Sequence, residues 1–526
     1  MTDIAAGQGK SGGGGRSGPA GKAGTRKTAA GGVAVAERET AKQAGGFYGG
    51  AMYLVQISDW PADKLTPEQP VQSSGAARLL VAAADPQDST IPVVLPDAAL
   101  FATTTFSLMN SGNRTLRAPK RSWKARFDGP GDALGGQATF NLKAMYNDPS
   151  QMREALAWRY LAAAGIPAAR HTYAKLTING GYRGLFSLIE QVDKRFLKDH
   201  YGKNHKGNLY KAYCGDIGCA TLEHRVGANG DDSGRQYFSS KPDDRAYRLK
   251  TNEDESAANT YDDLAALTRA IDGVGLPGGD ARFGTDAFRT SLESVLNVKA
   301  FLRWAATNVL LGSWDNYFAT PANYYLYNSG RSGAPDGFMN TPYFTFIPWD
   351  YDNSFGIDFF GTPWQYTDLL DPAGNTAAYW RANNSRTRRS HIPLVQNLLR
   401  NHDLCQYYLD YVEHMVSTSF TPDAIATETG LDDTGGLWAR VSKAAFAESA
   451  TPYGAASTGR QFTNDEVYRC GCKHEELSKG GARIEGVVHY VHMRRDRAGE
   501  QLQKLRAEYP SGASGATFPA AFEALP

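Results

Sequence analysis

Two short clusters carry most of the chemistry in this sequence. Asp315-Asn316 lies directly after an apolar run that includes Leu310, Leu311 and Trp314. Asp350-Tyr-Asp352-Asn353 lies directly after the run from Phe344 to Trp349. An apolar strand or helix that ends in a carboxylate delivers that carboxylate to the edge of a core, where a cleft can be lined. Carboxylate and amide oxygens gathered there suit a hard cation such as Mg²⁺, which keeps part of its water shell and pairs with phosphate oxygens. A plain structural reading stands beside this one, because Asp in a Trp-Asp-Asn-Tyr turn can cap a helix or close an Asx-turn.

Cations occur upstream. In SGNRTLRAPKRSWKARF (111–127), strand alternation puts Trp123, Ala125 and Phe127 on one face and Ser122, Lys124 and Arg126 on the other. Such a strand beside a Ser-Gly-Asn turn can hold a polyphosphate; it can equally be an edge strand with solvated charges. Glu154 lies one turn into the next helix. There it either reaches a cation of the preceding strand or is a favourable charge near a helix N-terminus.

The elements that must position these residues follow from pattern and punctuation. Strands are predicted at MYLVQISDW, RLLVAAAD and TIPVVLP, each bounded by turn residues. Asp148-Pro149-Ser150 starts a helix, with Asp148 as cap and Pro149 at the first helical position, that stops at Gly165-Ile-Pro167. His171–Ile178 and Tyr182–Ile189 flank Asn179-Gly180-Gly181 and read as a hairpin running into a helix after Glu190. Helical periods cover 259–272 and the long apolar stretch 285–311, which ends at Gly312. Residues 323–327 and 343–350 pair as a second hairpin, and the remainder is mostly helical from about 393 to 416 and from 483 to 509.

The totals bound the answer. A chain of 526 residues is expected to form two lobes plus appendages. A net charge of +1 points to neither nucleic acid nor an anionic membrane, and no run approaches the roughly 18 apolar residues of a membrane span. Residues 1–45, rich in Gly, Ala, Ser and basic residues, read as a disordered tail. The N-terminus has no secretory h-region, which favours the cytoplasm and leaves a cell-surface or extracellular location open. The five cysteines, Cys214, Cys219, Cys405, Cys470 and Cys472, do not make C-x-x-C pairs. Reduced or locally bridged thiols are therefore expected rather than a zinc site, with the pairing undecided.

A cationic strand, a helix with an early Glu, a hairpin, a long helix, an Asp-Asn loop and a D-x-D hairpin follow one another as in a protein kinase. No G-x-G-x-x-G stands beside the cationic strand, and V-A-I-K, H-R-D and D-F-G are missing. The segment 111–127, INGGYRGLFSLIEQVDKRFL, GNLYKA, YRLKTNEDE, SWDNYFATPANYYLYN and IPWDYDNSFG together resemble the CotH kinase family, the spore-coat-type atypical kinases. They occur in family order over about residues 100 to 360.

That resemblance implies an α+β, two-lobed, protein-kinase-like fold. A β-rich nucleotide-binding lobe would span 46–191 and a mainly helical lobe with the catalytic and metal loops 192–526. It implies Asp315 as the catalytic aspartate, Asp350 as the metal-binding aspartate and Asn323, or else Asn316, as the amide that completes the metal site. Asp352 would be a second metal ligand or a structural acceptor. Lys124 first and Arg126 second would neutralise the nucleotide phosphates, with Glu154 orienting that cation. Glu190 would lie where the interlobe hinge meets adenine, and Asn113 in the nucleotide loop. That loop has a single glycine, and the Asp315-to-Asn323 spacing is longer than in ordinary kinases.

The implied activity is transfer of the ATP γ-phosphate, with Mg²⁺ or Mn²⁺, to Ser or Thr of a coat, surface or structural protein. The alternatives are AMP transfer, phosphorylation of a sugar or small molecule, and a non-catalytic pseudokinase serving as an assembly scaffold.

Overall fold

The computed structural model describes residues 47–518 apart from 49, 66–67, 113–115, 117, 129–133, 216–217, 242–244, 256–258, 332–336, 375–391, 434 and 449–461. The expected tail at 1–45 and the candidate residue Asn113 lie outside the described residues.

Strands β1 (Met52–Ser58), β2 (Val71–Gln72), β3 (Arg78–Ala84), β4 (Phe101–Thr103), β5 (Phe106–Ser111), β6 (Ser122–Phe127), β7 (Thr139–Lys143), β8 (His171–Ile178) and β9 (Gly181–Ile189) make one nine-stranded sheet. Their order is β2-β5-β6-β7-β9-β8-β1-β3-β4, with β1 and β8 parallel and the other neighbours antiparallel. Alternation sends Val55, Ile57, Leu108, Phe140, Leu176 and Phe186 to one buried face. The sheet curls over that face. Phe101 on β4 meets Phe127 on β6 at 5.2 Å, although most of the ladder lies between them. The β8–β9 turn is the expected one: Asn179 and Gly180 both take positive φ (52° and 74°), and Asn179 binds the backbone of Trp60 through Oδ1 (2.9 Å) and Nδ2 (2.7 Å).

Two predicted elements differ. TIPVVLP is a loop, because Pro92 and Pro96 have no N–H to give a ladder; Val93 and Leu95 stand 75% and 66% exposed. Helix α1 (Arg153–Ala163) starts later than Pro149. Its N-cap is Met152 rather than Asp148, although the Asp148 carboxylate accepts the Arg153 N–H at 2.9 Å from beyond an intervening turn.

The chain continues through α2 (Lys194–Tyr201), whose N-cap is Asp193, and β10 (Asn208–Ala212). A ribbon of β11 (Cys214–Gly215) and β12 (Gly218–Cys219) is closed by a Cys214–Cys219 disulfide, and β13 (Tyr247–Leu249) follows. Cys405, Cys470 and Cys472 are buried and form no disulfide.

Helix α3 (Asp262–Ile271) precedes the stretch predicted as one long helix, which divides into α4 (Asp286–Val295) and α5 (Val298–Leu311). The break has a cause: Leu296 is extended and bridges to Phe344, the Asn297 N–H is taken by the Phe344 carbonyl (2.9 Å), and the Asn297 side chain caps α5. Strands β14 (Tyr324–Asn328) and β15 (Phe344–Pro348) form the predicted hairpin, in a sheet of order β13-β10-β14-β15.

Beyond β16 (Ile357–Asp358), the chain forms α6 (Pro393–Leu398), α7 (His402–Thr418), α8 (Pro422–Thr429), α9 (Gly436–Ala447) and α10 (Asn464–Gly471). Strands β17 (Leu477–Lys479) and β18 (Ala482–Ile484) and helix α11 (Val487–Leu505) complete it. No described helix is long and apolar enough to cross a membrane. The architecture is α+β.

The late elements grip the early ones. Glu448, just after α9, accepts Lys120 Nζ and the Leu185 N–H, both at 2.8 Å, and Tyr182 donates to the Ala444 carbonyl at 3.0 Å. Arg153, fully buried in α1, pairs with Asp148 and also donates to Ser150 Oγ (3.0 Å) and to the Glu485 carbonyl. Removing one partner of such a buried pair strands the other's charge. Arg153→Ala is therefore expected to lower stability by about 3–5 kcal/mol. In the same urea melts, a change at exposed Arg126 to Ala should stay within about 0.5 kcal/mol.

Candidate active site

Helix α5 ends at Gly312, whose positive φ (58°) returns the chain into the turn that presents Asp315. That turn is knotted. Asn316 is buried, and its Nδ2 donates to Asn308 Oδ1 (2.8 Å) and Ser313 Oγ (3.1 Å), while its Oδ1 accepts the Phe318 N–H (3.2 Å). Asn308 Oδ1 also accepts the Tyr351 hydroxyl (3.0 Å), which in turn accepts Trp304 Nε1–H (2.7 Å). One amide thus joins both acidic loops, and the Phe355 N–H on the Leu311 carbonyl (2.7 Å) fastens the second loop to the end of α5.

The carboxylates meet in front of this knot. Asp315 Oδ1 accepts Thr320 Oγ1 (2.7 Å) and Oδ2 faces Asn353 Nδ2 (3.4 Å). Asn353 Oδ1 accepts Asn147 Nδ2 (3.2 Å), which ties the cluster to the segment after β7. Asn323 donates Nδ2 to the Asp315 carbonyl (2.8 Å), its Oδ1 making no hydrogen bond among the described residues. Asp350, at positive φ (66°), forms an ion pair with Lys143 at the end of β7. Behind that pair lies Glu154 of α1, 1% exposed, with neither carboxylate oxygen hydrogen-bonded.

Burial and crowding set the charge states. Asp352 is pushed up to about 7 by burial and by Asp350, and Glu154 up to about 8 by burial, against the pull of Lys143. Asp315 is raised by burial, with Thr320 opposing and Asp350 adding to the rise. Burial alone would lower Lys143, but Asp350, Glu154 and Asp352 together hold it well above the ordinary lysine value. Acidic groups outnumber the one ion-paired cation here, so the cluster suits an added cation. Among the described residues no three His, Cys, Asp or Glu side chains converge closely enough to enclose a metal by themselves. A cation here would take Asp350 together with the Asn323 amide oxygen, and solvent or phosphate oxygens for the rest, which suits an ion that keeps waters.

The remaining candidates fall in three places. Lys124 shares a sheet face with Lys143, but its Nζ donates to Gln191 Oε1 (2.8 Å), and burial, with Lys211 next, lowers it to about 8. Arg126 is exposed further along β6. Glu190 belongs to a separate buried cluster, in which its carboxylate accepts Arg170 Nη2 (2.5 Å) and Nε (3.1 Å) and lies 3.7 Å from His200 Nε2. The structure thus gathers Asp315, Asp350, Asp352, Glu154 and Asn323, keeps Asn316 inside the supporting knot, and commits Glu190 elsewhere.

Sequence reasoning missed Lys143 and Lys211. Lys143 had a signal: Phe140 and Leu142 alternate in TFNLK, and the strand ends in a lysine shortly before the helix that bears Glu154. Lys211 on β10 lies over the rings of Tyr213 (5.0 Å) and Tyr325 (5.6 Å) and is lowered to about 8 by burial, with Asp350 opposing.

The comparisons place the chain in a family. The model of the CotH kinase protein family matches residues 110–429, and the chain belongs to that family. The chain is 25% identical over 260 residues to invasin CotH2 of Rhizopus delemar, which covers 49% of this chain and 38% of the invasin. It is 23% identical over 301 residues to inner spore coat protein H of Bacillus subtilis (57% of this chain, 72% of that protein) and 22% over 322 residues to invasin CotH3 of Rhizopus delemar (61% and 47%). The matched stretches therefore span less than half of each invasin.

Two outcomes check this geometry. Asn308→Ala leaves buried donors of both loops unpaired and is expected to cost about 2–4 kcal/mol in a urea melt. Burial raises the Glu190 carboxyl, but bonds from His200 and Arg170 hold it below the usual range. Its stabilisation is therefore present above the unfolded carboxyl value, about 4.3, and is lost as pH falls. With Arg170 partly exposed, Glu190→Gln should cost about 1–2 kcal/mol at pH 6. The gap between wild-type and variant Tm should close as the pH is taken down towards 3.

Proposed function

We propose that this chain is an ATP-dependent phosphotransferase that moves the γ-phosphate to a Ser or Thr hydroxyl of a coat or surface protein. The observation that carries this reading is the convergence of Lys143, Glu154, Asp350 and Asp315 from a strand, a helix and two loops. A strand lysine paired with a helix glutamate, a loop aspartate for the acceptor and a second aspartate after a hairpin are the parts a protein kinase uses. The curled sheet in front and the helices behind support a two-lobed reading of the α+β fold. The names of the relatives, an inner spore coat protein and two invasins, support a coat or surface setting for that reaction.

In this reading Lys143 leaves Asp350 for the α- and β-phosphates when nucleotide enters, and Glu154 holds its ammonium in place. The geometry favours Lys143 over Lys124, which is engaged with Gln191 at the far side of the same face. A bound Mg²⁺ or Mn²⁺ on Asp350 and Asn323, with Asp352 close by, would neutralise the phosphate oxygens and the leaving group. Asp315, oriented by Thr320 and Asn353, aligns the acceptor hydroxyl and takes its proton as the oxygen bonds to the γ-phosphorus. The bond from that phosphorus to the β-phosphate oxygen breaks, and ADP departs. Positioning and charge neutralisation supply most of the catalysis.

The test uses γ-labelled and, separately, α-labelled ATP with Mg²⁺ or Mn²⁺ and a generic protein acceptor. Label should pass from the γ position only and vanish in EDTA. Asp315→Ala and Asp350→Ala should each lose about a thousandfold in rate, on the order of 4 kcal/mol of transition-state stabilisation. Lys143→Met should lose more than Lys124→Met. Label from the α position would replace this reading with AMP transfer, and no label with any metal would replace it with a scaffold.

A further inference from the structure

A second concavity takes no part in the chemistry above. It measures about 1120 Å³ and is lined by residues of α2 and the turn after it, by Thr251, Asn252, Glu255, Thr260 and Asp262, and by Phe338, Met339 and Asn340. The α2 side brings Lys194, Arg195, Lys198 and Lys206; the facing segment brings Glu255 and Asp262. Arg195 is paired with Asp199 at 2.9 Å. Lys194, Lys198 and Lys206 are exposed and form no ion pair among the described residues.

That arrangement is unusual for a merely solvated face. Lys194 and Lys198 stand one helical turn apart, a like-charge spacing that disfavours a helix. Among the described residues, none of the nearby acids, Asp199, Glu255 and Asp262, forms an ion pair with these lysines. Asp199 is taken by Arg195 and Arg170, and Asp262 accepts the Gly234 N–H at 2.9 Å. The cations thus line a concave wall, where positive potential is focused, with open space in front of them. The floor is already fastened: Asn252 Nδ2 donates to the Lys206 carbonyl (3.0 Å) and to Asn208 Oδ1 (3.1 Å), which joins the two sides. Strand β10 begins at Asn208 and carries Lys211 three residues on, about 10 Å along the strand, into the charge neighbourhood of Asp350.

We propose that this cavity docks a carboxylate-rich segment of the acceptor protein, with Lys194, Lys198 and Lys206 as its cationic partners. Glu255 and Asp262 favour a peptide over a nucleic acid: a continuous phosphate polymer is repelled by them, whereas a peptide brings N–H donors as well as isolated carboxylates. The apolar surface of Phe338 and Met339 suits the aliphatic stems of Glu. Docking would hold a Ser or Thr a few residues away at the catalytic cluster. That link to the hydroxyl rests on the phosphotransfer reading; the docking does not.

The experiment uses the full chain and a fluorescent peptide with a Glu cluster a few residues from a Ser, beside the same peptide with Gln for Glu. Anisotropy should show tighter binding of the Glu peptide, weakened by added salt. The Lys194→Glu/Lys198→Glu variant, changed only at exposed positions, should bind it at least about tenfold more weakly while its thermal shift with ATP is unchanged. With labelled ATP, the variant should show a KM for the Glu peptide raised about tenfold at unchanged kcat. Equal binding of the two peptides, equal binding by the variant, or preference for an RNA oligomer or anionic vesicles over the Glu peptide would overturn the docking site. Peptide binding that is lost in the variant, in a protein that transfers no phosphate, would uphold docking and sink the phosphotransfer reading. Transfer to the Glu peptide that is indifferent to the charge reversal would do the reverse.

Discussion

The site depends on the side-chain amide of Asn308. It stands in the last turn of an apolar helix, where a polar group is tolerated only if every bond is made, and it makes them to two different loops. Each such bond is worth about 1 kcal/mol net, yet an orphaned partner in this dry interior costs more than the bond contributes. The aspartates of sequence positions 315 and 350 are therefore not independently placed. Asn316, Asn308, Tyr351 and Trp304 form a single hydrogen-bonded line, and the distance between the loops is set by the lengths of these side chains.

Around that line the electrostatics are deliberately unbalanced. Glu154, Asp315, Asp350 and Asp352 share a partly dry space with one ion-paired lysine, Lys143. Burial raises Asp352 and Glu154 first, and the carboxylates beside them add to the rise, so full ionisation of the group is resisted unless something positive arrives. Lys124 and Lys211, whose charges oppose each other, are cations kept from easy hydration by burial.

How much of this was legible depended on whether the cause was local. Asn179-Gly180, Gly312 and the two Asp loops announce themselves by residue type, because a turn's backbone needs are satisfied by its own residues. The break between α4 and α5 did not. Leu296 and Asn297 look helical until Phe344, far along the chain, offers a carbonyl. Pro92 and Pro96 should have excluded a strand, and the apolar residues between them masked that. The cation ranking had the same limit. Lys124 lies in the more basic segment, but which lysine meets Asp350 is decided by where β7 ends relative to the second loop, a long-range register that no local pattern carries. The partners of Glu190, Arg170 and His200, are likewise announced by no local pattern. The Lys194–Lys198 pair is visible in sequence, but its vacancy of partners is a fact of three dimensions.

The family match stops at residue 429, yet the curled sheet does not rest on matched residues alone. Lys120 and the backbone of β9 are served by Glu448, and the start of α1 is anchored on the Glu485 carbonyl. The chain is thus closed on itself like a belt, with the buckle made by its last quarter. A nascent polypeptide lacks these bonds to the sheet and to α1 until that quarter has emerged. A nonsense change late in the gene, well past both acidic loops, would strip partners from Lys120, Arg153 and the backbone of Leu185.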